Sequence, residues 1–334
     1  MEDLLFSIII PAYNLSACIE KTLKSLCETG LRKCELFIIN DGSTDDTLET
    51  VNGFLNYNNA LNCHVLSQKN CGVSKARNVG IDAAQGEYLI FFDGDDSCDS
   101  NIIMRISEAC ADKPDMLAWR FNIVDGEKKY ISQDCFDEHV YSSNDFIEHI
   151  IQGNFRIRIG SFAVKKSLVM ENDLKFTEGC SICEDVEFMY KCVLASESIH
   201  TINDVLYDYI KREGSAANTY DLRRFQAPFA IKRIYEYAAA KGLDGLSEYV
   251  VDGLKNGLLI THAMYSFDSC CKYIKGNKQF REFIGIYKSQ FGEVEKLIKE
   301  SLRNMKYVPD IYSKKRFMLF KLSRILYAFV MCIK

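Results

Sequence analysis

Short apolar runs and helix-like segments alternate through the first 125 residues, and this alternation constrains the fold more than any other feature. Runs rich in β-branched and aromatic residues predict strands at 6–13, 34–41, 63–68, 87–93 and 115–124. Apolar residues at helical spacing predict helices at 16–28, 43–55, 73–84 and 101–111. Ser16 and Ser43 are the expected N-caps of the first two helices. The succession predicts an α/β fold with a mostly parallel sheet and helices on both faces.

Polar residues follow three of these strands where each strand ends. In a parallel sheet, ligands bind beyond the carboxyl ends of the strands. We therefore expect one rim to carry Pro11-Ala12-Tyr13-Asn14, Asn40-Asp41-Gly42 and Asp93-Gly94-Asp95-Asp96. Three separate strands deliver polar groups to the same place, which indicates a binding site.

The stretch GEYLIFFDGDD, residues 86–96, ends a buried-looking strand in three carboxylates. Mg²⁺ and Mn²⁺ prefer oxygen ligands, and Mg²⁺ is commonly held by one or two carboxylates together with phosphate oxygens. Asp93 and Asp95 are thus candidate metal ligands, and a bound cation would neutralise a diphosphate. The alternative is a solvated turn, and Asp96 is a candidate for a strand-end turn or supporting role.

Charge divides the chain into an acidic and a basic part. Residues 1–214 hold 20 Lys and Arg against 35 Asp and Glu, a balance of −15, and residues 215–334 hold 21 against 11, a balance of +10. The pattern also changes near 215, from alternating elements to helices alone. We expect a catalytic domain over 1–214 and a helical region over 215–334. An acidic first part argues against nucleic acid as a partner, and the basic part favours an anionic surface.

The last segment, KKRFMLFKLSRILYAFVMCIK (314–334), predicts one amphipathic helix. Its basic residues are Lys314, Lys315, Arg316, Lys321 and Arg324. Its apolar face would carry Leu322, Ile325, Leu326, Phe329, Val330 and Ile333. Such a helix is typical of one lying on anionic lipid. Packing against the protein's own core and an oligomer contact are alternatives that the sequence leaves open.

Five motifs stand in the order found in family 2 glycosyltransferases, and the chain resembles that family over roughly residues 5–215. They are SIIIPAYN, IINDGSTDDT, NCGVSKARNVG, GEYLIFFDGDD and CEDVEFMYK. The resemblance implies the GT-A fold and an inverting transfer of a hexose or N-acetylhexosamine. The donor would be a UDP-sugar, the cofactor Mn²⁺ or Mg²⁺, and the acceptor a glycan or glycolipid hydroxyl.

The resemblance also implies roles for residues of the nucleotide site. Pro11, Tyr13 and Asn14 would line the nucleoside pocket, and Asp41 would contact the base. Arg77 of SKARN would contact the nucleotide.

At the reacting end, the resemblance places Asp93 near the ribose and the metal and makes Asp95 the principal metal ligand. Gly94, expected to let the chain turn between them, belongs to the same nucleotide-sugar site. Asp185 would be the catalytic base, with Glu184 as its neighbour. An inverting displacement needs such a carboxylate on the acceptor side. On the residues alone, acids at the start of a helix favour the alternative, simple complementation of the helix dipole.

A polar loop is expected at 207–218, after the base helix. Related enzymes close such a loop over the diphosphate, and here Arg212 and Ser215 are the candidate residues. A solvated loop is the alternative.

Other functions remain open from the sequence. A sugar nucleotidyltransferase would need a glycine-rich basic phosphate loop after the first strand, where PAYNLSACIEK stands instead. A non-catalytic scaffold that binds nucleotide sugar would not need both Asp95 and Asp185. No QxxRW motif is present, which favours single additions over processive synthesis.

The expected location is the cytoplasm, peripheral on the cytoplasmic face of a bacterial inner membrane, in synthesis of O-antigen or capsule on a lipid-diphosphate acceptor. No signal peptide is evident, and 14 scattered cysteines favour a reducing compartment. No apolar run reaches the roughly 20 residues that a membrane-spanning helix needs.

Overall fold

The computed structural model describes residues 4–59, 61–131, 137–212, 219–308 and 313–333. The chain divides into an α/β unit, Met1–Phe146 with Asn154–Lys211, and a helical unit, Ile147–Gly153 with Arg212–Lys334. The domain boundary expected between 214 and 215 stays a prediction, and residues 213–218 lie outside the described part of the chain.

Ten strands among the described residues form one mixed sheet in the α/β unit. They are β1 (Phe6–Ala12), β2 (Cys34–Asn40), β3 (Cys63–Ser67), β4 (Tyr88–Phe91), β5 (Ser97–Cys98), β6 (Met116–Asp125), β7 (Lys128–Ile131), β8 (Val140–Tyr141), β9 (Phe162–Lys165) and β10 (Ile199–Lys211). Their order is β3-β2-β1-β4-β9-β6-β10-β5, with β7 on β6 and β8 on β10. The pairs β3-β2, β2-β1, β1-β4 and β6-β10 are parallel. Strand β9 runs antiparallel between β4 and β6.

Helices cover both faces of this sheet. They are α1 (Ile19–Glu28), α2 (Thr47–Tyr57), α3 (Val73–Ala83), α4 (Ile102–Ala109), α6 (Lys166–Glu171) and α7 (Glu184–Ala195), while α5 (Ser143–Gln152) begins in this unit and continues in the helical unit. Ile8 and Ile10 of β1 share a buried cluster with Ile19 and Leu23 of α1. Side chains alternate along a strand, so Ile9 points to the other face, where the close approach of Gly80 brings α3 against it. The predicted α/β class with helices on both faces is confirmed.

The structure corrects two predicted helix starts. Helices α1 and α2 begin at Ile19 and Thr47, and neither Ser16 nor Ser43 caps them. The backbone N–H of Ser16 donates to Asp45 at 3.1 Å, and Oγ of Ser43 accepts from the backbone N–H of Asn14, also at 3.1 Å. Both serines therefore serve contacts between rim loops.

The polar loop expected at 207–218 is also corrected at its start. Residues 207–211 belong to β10, where Tyr207 pairs with Phe121 and Lys211 with Asp125. The side chain of Tyr207 is buried. Its ring packs edge-on against that of Phe92, with 5.1 Å between the two ring centroids. Exposure increases along this part of β10, from the buried Tyr207 to the exposed Lys211.

Among its described residues the helical unit holds a 3-10 helix (Leu222–Gln226), a π-helix (Gly253–Gly257) and, after α5, seven α-helices. They are α8 (Ala227–Lys241), α9 (Glu248–Asp252), α10 (Leu258–Cys271), α11 (Gly276–Gln290), α12 (Gly292–Asn304), α13 (Lys314–Leu322) and α14 (Arg324–Ile333). Aromatic rings form the centre of this unit, with Phe267 4.9 Å from both Phe225 and Tyr287. Within the described residues, no helix has the length and apolar character required to traverse a bilayer.

The terminal segment forms two helices where one was predicted. Ser323 is extended (φ −161°, ψ 116°), and its Oγ accepts from the N–H of Leu326, which caps α14. Two of the basic residues bind within the unit: Arg316 pairs with Asp268 at 2.5 Å and Arg324 with Glu295 at 2.5 Å.

One side of α13 and α14 is buried in this unit, and the other is exposed. The buried residues are Phe317, Phe320, Tyr327 and Ala328. The exposed apolar residues are Met318, Leu322, Ile325, Leu326, Phe329 and Ile333. Intramolecular packing thus accounts for the inner side, and the outer side keeps an apolar surface beside Lys314, Lys315 and Lys321.

Candidate active site

Two loops at the carboxyl ends of β1 and β2 are tied together by Asn14. Strands β1 and β2 are parallel with Ala12 opposite Asn40, so their following loops are neighbours. The side-chain oxygen of Asn14 accepts from the N–H of Thr44 at 2.8 Å, and Asn14 adopts a left-handed conformation with φ 53°. Pro11 is buried within β1, whereas Tyr13 is 47% exposed. The predicted pocket residues therefore include one exposed aromatic ring on an ordered loop.

Asp41 is a buried carboxylate that holds the loop leading into α3. It is 3% exposed and accepts hydrogen bonds from the side chain of Gln68 at 2.7 Å and the backbone N–H groups of Cys71 and Gly72 at 2.9 and 2.8 Å. Gly42 beside it has φ +70°, and a Cβ there would lie 2.7 Å from the backbone nitrogen of Asn70. A carboxylate has about four acceptor positions, so roughly one stays available to a ligand donor such as a base imide.

The three acids after β4 form a cluster that suits a divalent cation. One carboxylate oxygen from each of Asp93, Asp95 and Asp96 lies within 4.8 Å of the others. Asp93 and Asp95 are partly exposed. An all-oxygen donor set of this kind fits Mg²⁺ or Mn²⁺.

Asp96 has a different environment from its two neighbours. It is 1% exposed, accepts from the hydroxyl of Tyr207, and accepts from the backbone N–H of Ile210 at 2.7 Å. Burial, followed by the charges of Asp93 and Asp95, raises the pKa of Asp96 to about 8. Asp96 therefore anchors the acidic loop to β10, which leaves Asp93 and Asp95 as the accessible ligands.

Gly94 lies between the two accessible acids, in contact with α1. The φ of Gly94 lies outside the left-handed region, so its backbone conformation does not require glycine. A Cβ at this position would lie 2.7 Å from Leu15 Cδ1 and 2.9 Å from Ile19 Cδ1. Close packing, rather than a turn, is what the structure shows for Gly94.

Arg77 of α3 joins the acidic loop to the start of α7. Its Nη2 is 2.8 Å from Asp93 Oδ1 and its Nη1 is 3.1 Å from Glu184 Oε1. The guanidinium is 3% exposed and lies 5.1 Å from the ring centroid of Phe176. Burial alone would lower the pKa of Arg77, but the charges of Asp93, Glu184 and Asp185 raise it. The predicted contact of Arg77 with nucleotide stays a prediction.

Helix α7 presents both acids of the CEDVEFMYK motif in its first turn. Cys183 precedes it in a left-handed conformation with φ 62°, and Glu184 and Asp185 open the helix. Glu184 is 8% exposed, and burial, followed by the charge of Asp185, raises its pKa to about 7 although Arg77 opposes the shift. Asp185 is more exposed than Glu184. Of the pair, Asp185 is therefore the more accessible carboxylate.

Contacts that sequence reasoning missed fix the position of α7. The side-chain amide of Asn78 makes two 2.9 Å hydrogen bonds with the backbone of Phe176. The ring of Phe176 stacks on Phe188 of α7 at 4.0 Å, and Phe91 of β4 meets both rings edge-on. The sequence signal that could have indicated a role for Asn78 is its position directly after Arg77 in the SKARN motif.

Two predicted residues are not placed with this cluster. Arg212 belongs to the helical unit. Ser215 lies outside the described residues. A role for either in binding the diphosphate stays a prediction.

An acidic rim on an α/β sheet, joined through a buried arginine to a second pair of carboxylates, is an arrangement suited to group transfer from a metal-bound diphosphate. Residues 7–172 match the family model described as "Glycosyl transferase family 2". The chain belongs to this family, and it is a glycosyltransferase by class.

Characterised relatives agree with this assignment. The chain is 25% identical over 235 residues to "Cholesterol galactosyltransferase" of Borreliella burgdorferi, covering 66% of this chain and 64% of that protein. It is 31% identical over 216 residues to "Poly(ribitol-phosphate) beta-N-acetylglucosaminyltransferase TarS" of Staphylococcus aureus, covering 63% of this chain and 36% of that protein. The chain thus spans less than two thirds of the length of either relative.

Solved structures confirm the predicted GT-A fold. S. aureus TarS 1-349 in complex with UDP-GlcNAc superposes with a TM-score of 0.65 at 23% identity, covering 98% of this chain and 88% of that one. The mannosyltransferase PcManGT from Pyrobaculum calidifontis, in complex with GDP-Man and Mn²⁺, gives a TM-score of 0.56 at 14% identity, covering 100% of this chain and 88% of that one.

Proposed function

We propose that the chain is an inverting glycosyltransferase that moves a hexose or N-acetylhexosamine from a UDP-sugar to a sugar hydroxyl in surface polysaccharide synthesis. The observation that supports this proposal is the network Asp93–Arg77–Glu184, in which one buried guanidinium contacts both the acidic loop after β4 and the first turn of α7. The relative TarS, solved with UDP-GlcNAc, supports UDP as the nucleotide. A lipid-diphosphate-linked oligosaccharide is the proposed acceptor.

In the proposed reaction, Asp185 accepts the proton of the acceptor hydroxyl as its oxygen bonds to the anomeric carbon. The bond from that carbon to the diphosphate breaks in the same displacement, so the configuration inverts. Asp93 and Asp95 would hold a divalent cation, which supplies charge neutralisation for the leaving diphosphate. Arg77 keeps Asp93 and Glu184 in place, and Asp41 offers its remaining acceptor position to the base.

Metal dependence tests the donor half of this proposal. UDP titrated in Mn²⁺ should bind, and chelation with EDTA should weaken binding about tenfold or more, because the diphosphate would then face uncompensated carboxylates. Asp95→Asn should reproduce the loss in the presence of Mn²⁺. Calorimetry measures both.

The matched control is Asp112→Asn, which removes an exposed carboxylate outside the rim. It should bind UDP as the unaltered protein does. Equal UDP affinity with and without chelator would show that the acidic cluster does not act through a metal.

We also propose peripheral contact with the anionic cytoplasmic face of the membrane, through the outer side of α13 and α14. Residues 314–333 contain no acidic residue, and Lys314, Lys315 and Lys321 are exposed beside the apolar surface. A second copy on the same surface would bring these lysines together, which disfavours a symmetric dimer there.

Replacing Lys314, Lys315 and Lys321 with Glu should lower co-sedimentation with phosphatidylserine-containing liposomes by about tenfold or more. Each basic residue near an anionic surface contributes about 1 kcal/mol. The control replaces Lys278, Lys288 and Lys296, exposed on α11 and α12, with Glu for the same change in net charge. If both triple variants sediment equally, α13 and α14 have no special membrane role.

A further inference from the structure

Arg158 is a cation without an ionic partner among the described residues. Its guanidinium carbon lies 4.1 Å from the ring centroid of Tyr209 and 5.3 Å from that of Phe121. Its Nε is buried and has no hydrogen-bond partner in the described part of the chain. Its hydrogen bonds to described residues involve the backbone alone: the N–H donates to Ser161 Oγ at 2.8 Å, and the carbonyl accepts from Ser161. Two aromatic faces therefore orient a guanidinium whose donors have no partner among the described residues.

Arg158 lies over side chains of two paired strands, β6 and β10. On β10, Tyr207 and Tyr209 are two residues apart and point to the same face. The hydroxyl of Tyr207 donates to Asp96, and the N–H of Ile210 donates to the same carboxylate at 2.7 Å. Because Arg158 stacks on Tyr209, it lies at the end of β10 that anchors the acidic loop.

The segment that carries Arg158 is held tightly on this face. Trp119 Nε1 donates to the carbonyl of Gly160 at 3.1 Å. A Cβ at Gly160 would lie 2.2 Å from the ring of Tyr207, so the backbone passes directly over that ring. Arg158 is thus presented by a fixed backbone rather than by a loose loop.

The electrostatic surroundings agree with this placement. Burial raises the pKa of Tyr209, Arg158 lowers it, and Asp96, Asp95 and Asp93 raise it again. The charges of the acidic cluster and of the guanidinium therefore both act on the phenol of Tyr209. The rim thus combines a carboxylate cluster suited to a divalent cation with a guanidinium that forms no ion pair with any described residue.

A half-buried guanidinium with unused donors is costly unless an anion completes it. Its planar fork matches the oxygens of a phosphate, and stacking on aromatic rings keeps that fork preorganised. We propose that Arg158 binds a phosphate group at the rim, beside Asp93 and Asp95. This inference rests on the proposed function, which supplies two sources for the group: the diphosphate of the donor or a phosphate of the acceptor.

Three probes separate these sources, each titrated in Mn²⁺ by calorimetry. UDP probes the donor side; farnesyl diphosphate with UDP saturating, compared with farnesol, probes the acceptor side; inorganic pyrophosphate probes phosphate binding alone. Arg158→Gln should weaken pyrophosphate and one of the other two about tenfold, and that probe identifies the source. Arg158→Lys, which keeps the charge without the planar fork, should lose less.

The control is Arg120→Gln, which removes the same charge from β6 on the opposite sheet face. It should leave all affinities within about twofold. A purely structural stacking role would lower the melting temperature of Arg158→Gln and change no affinity, and that result overturns the inference. It is also overturned if the unaltered protein binds none of the three probes. If it binds pyrophosphate but not UDP, the proposed donor is wrong and the phosphate site stands.

Discussion

Asp185→Asn should lower the turnover of sugar transfer by roughly 10²–10⁴-fold, the range a positioned general base contributes. Its affinity for UDP in Mn²⁺ should stay within about twofold, because Asp185 lies on α7 and is not part of the acidic rim. Transfer is measured by mass spectrometry with a panel of UDP-hexoses and UDP-N-acetylhexosamines, and binding by calorimetry.

Glu178→Gln is the matched control for this change. It neutralises a carboxylate shortly before α7 whose partner, Lys75, is 3.1 Å away on the surface. An exposed pair contributes little to stability, so transfer should be unchanged. If Asp185→Asn transfers sugar at the original rate, the base lies elsewhere. If the unaltered protein binds UDP but transfers no sugar, the scaffold alternative replaces the enzymatic one.

Arg77→Leu should lower the free energy of unfolding by about 3–5 kcal/mol, the usual effect of removing one partner of a buried ion pair. The guanidinium is 3% exposed and serves both Asp93 and Glu184, so its loss leaves two carboxylates without a cation. Urea denaturation followed by tryptophan fluorescence of Trp119 measures this change. Arg77 links α7, which carries the proposed base Asp185, to Asp93 of the acidic loop. Its replacement should therefore lower sugar transfer as well.

The pH dependence of this effect has a definite sign. Glu184 has a folded-state pKa raised from 4.5 to about 7, so the folded state binds the extra proton between these values and stability falls as pH rises through them. Arg77 lowers the pKa of Glu184, so without Arg77 the pH range over which stability falls should extend above pH 7. The destabilisation by Arg77→Leu should therefore be larger at pH 8 than at pH 6.

Arg105→Leu is the control for this prediction. Arg105 also has several acidic partners, among them Glu108 and Glu138 at 2.7 Å, but these partners are exposed at the surface. Its loss should amount to about 1 kcal/mol. Equal losses of unfolding free energy in the two variants would mean that the buried ion pairs of Arg77 contribute no more to stability than exposed ones.

The parallel part of the sheet was predictable because its strands are continuous apolar runs between helices with clear periodicity. Strand β9, by contrast, has only four residues and enters antiparallel between β4 and β6. Local sequence does not encode such an insertion. The resemblance to related enzymes predicts a loop over the end of β10, yet Asp208 and Lys211 lie in the strand and pair with Lys129 and Asp125.

At the site, the positions of the acids at the strand end were predictable from the sequence, whereas the different contacts of each acid were not. Asp93, Asp95 and Asp96 look alike in the sequence. Asp96 is set apart by Tyr207, which lies 111 positions away. Arg77 likewise acquires its two carboxylates from the loop after β4 and from α7, 16 and 107 positions away. Contacts at such separations depend on the finished fold, and a single sequence does not reveal them.

The three hydrogen bonds that Asp41 accepts from Gln68, Cys71 and Gly72 have a consequence for the thermodynamics of ligand capture. They shape the wall of the predicted base pocket before any nucleotide arrives. The conformational entropy of that loop is already lost on folding, so association need not order it. A base that enters this pocket meets a receptor of fixed geometry, and its affinity is set by fit rather than by loop rearrangement.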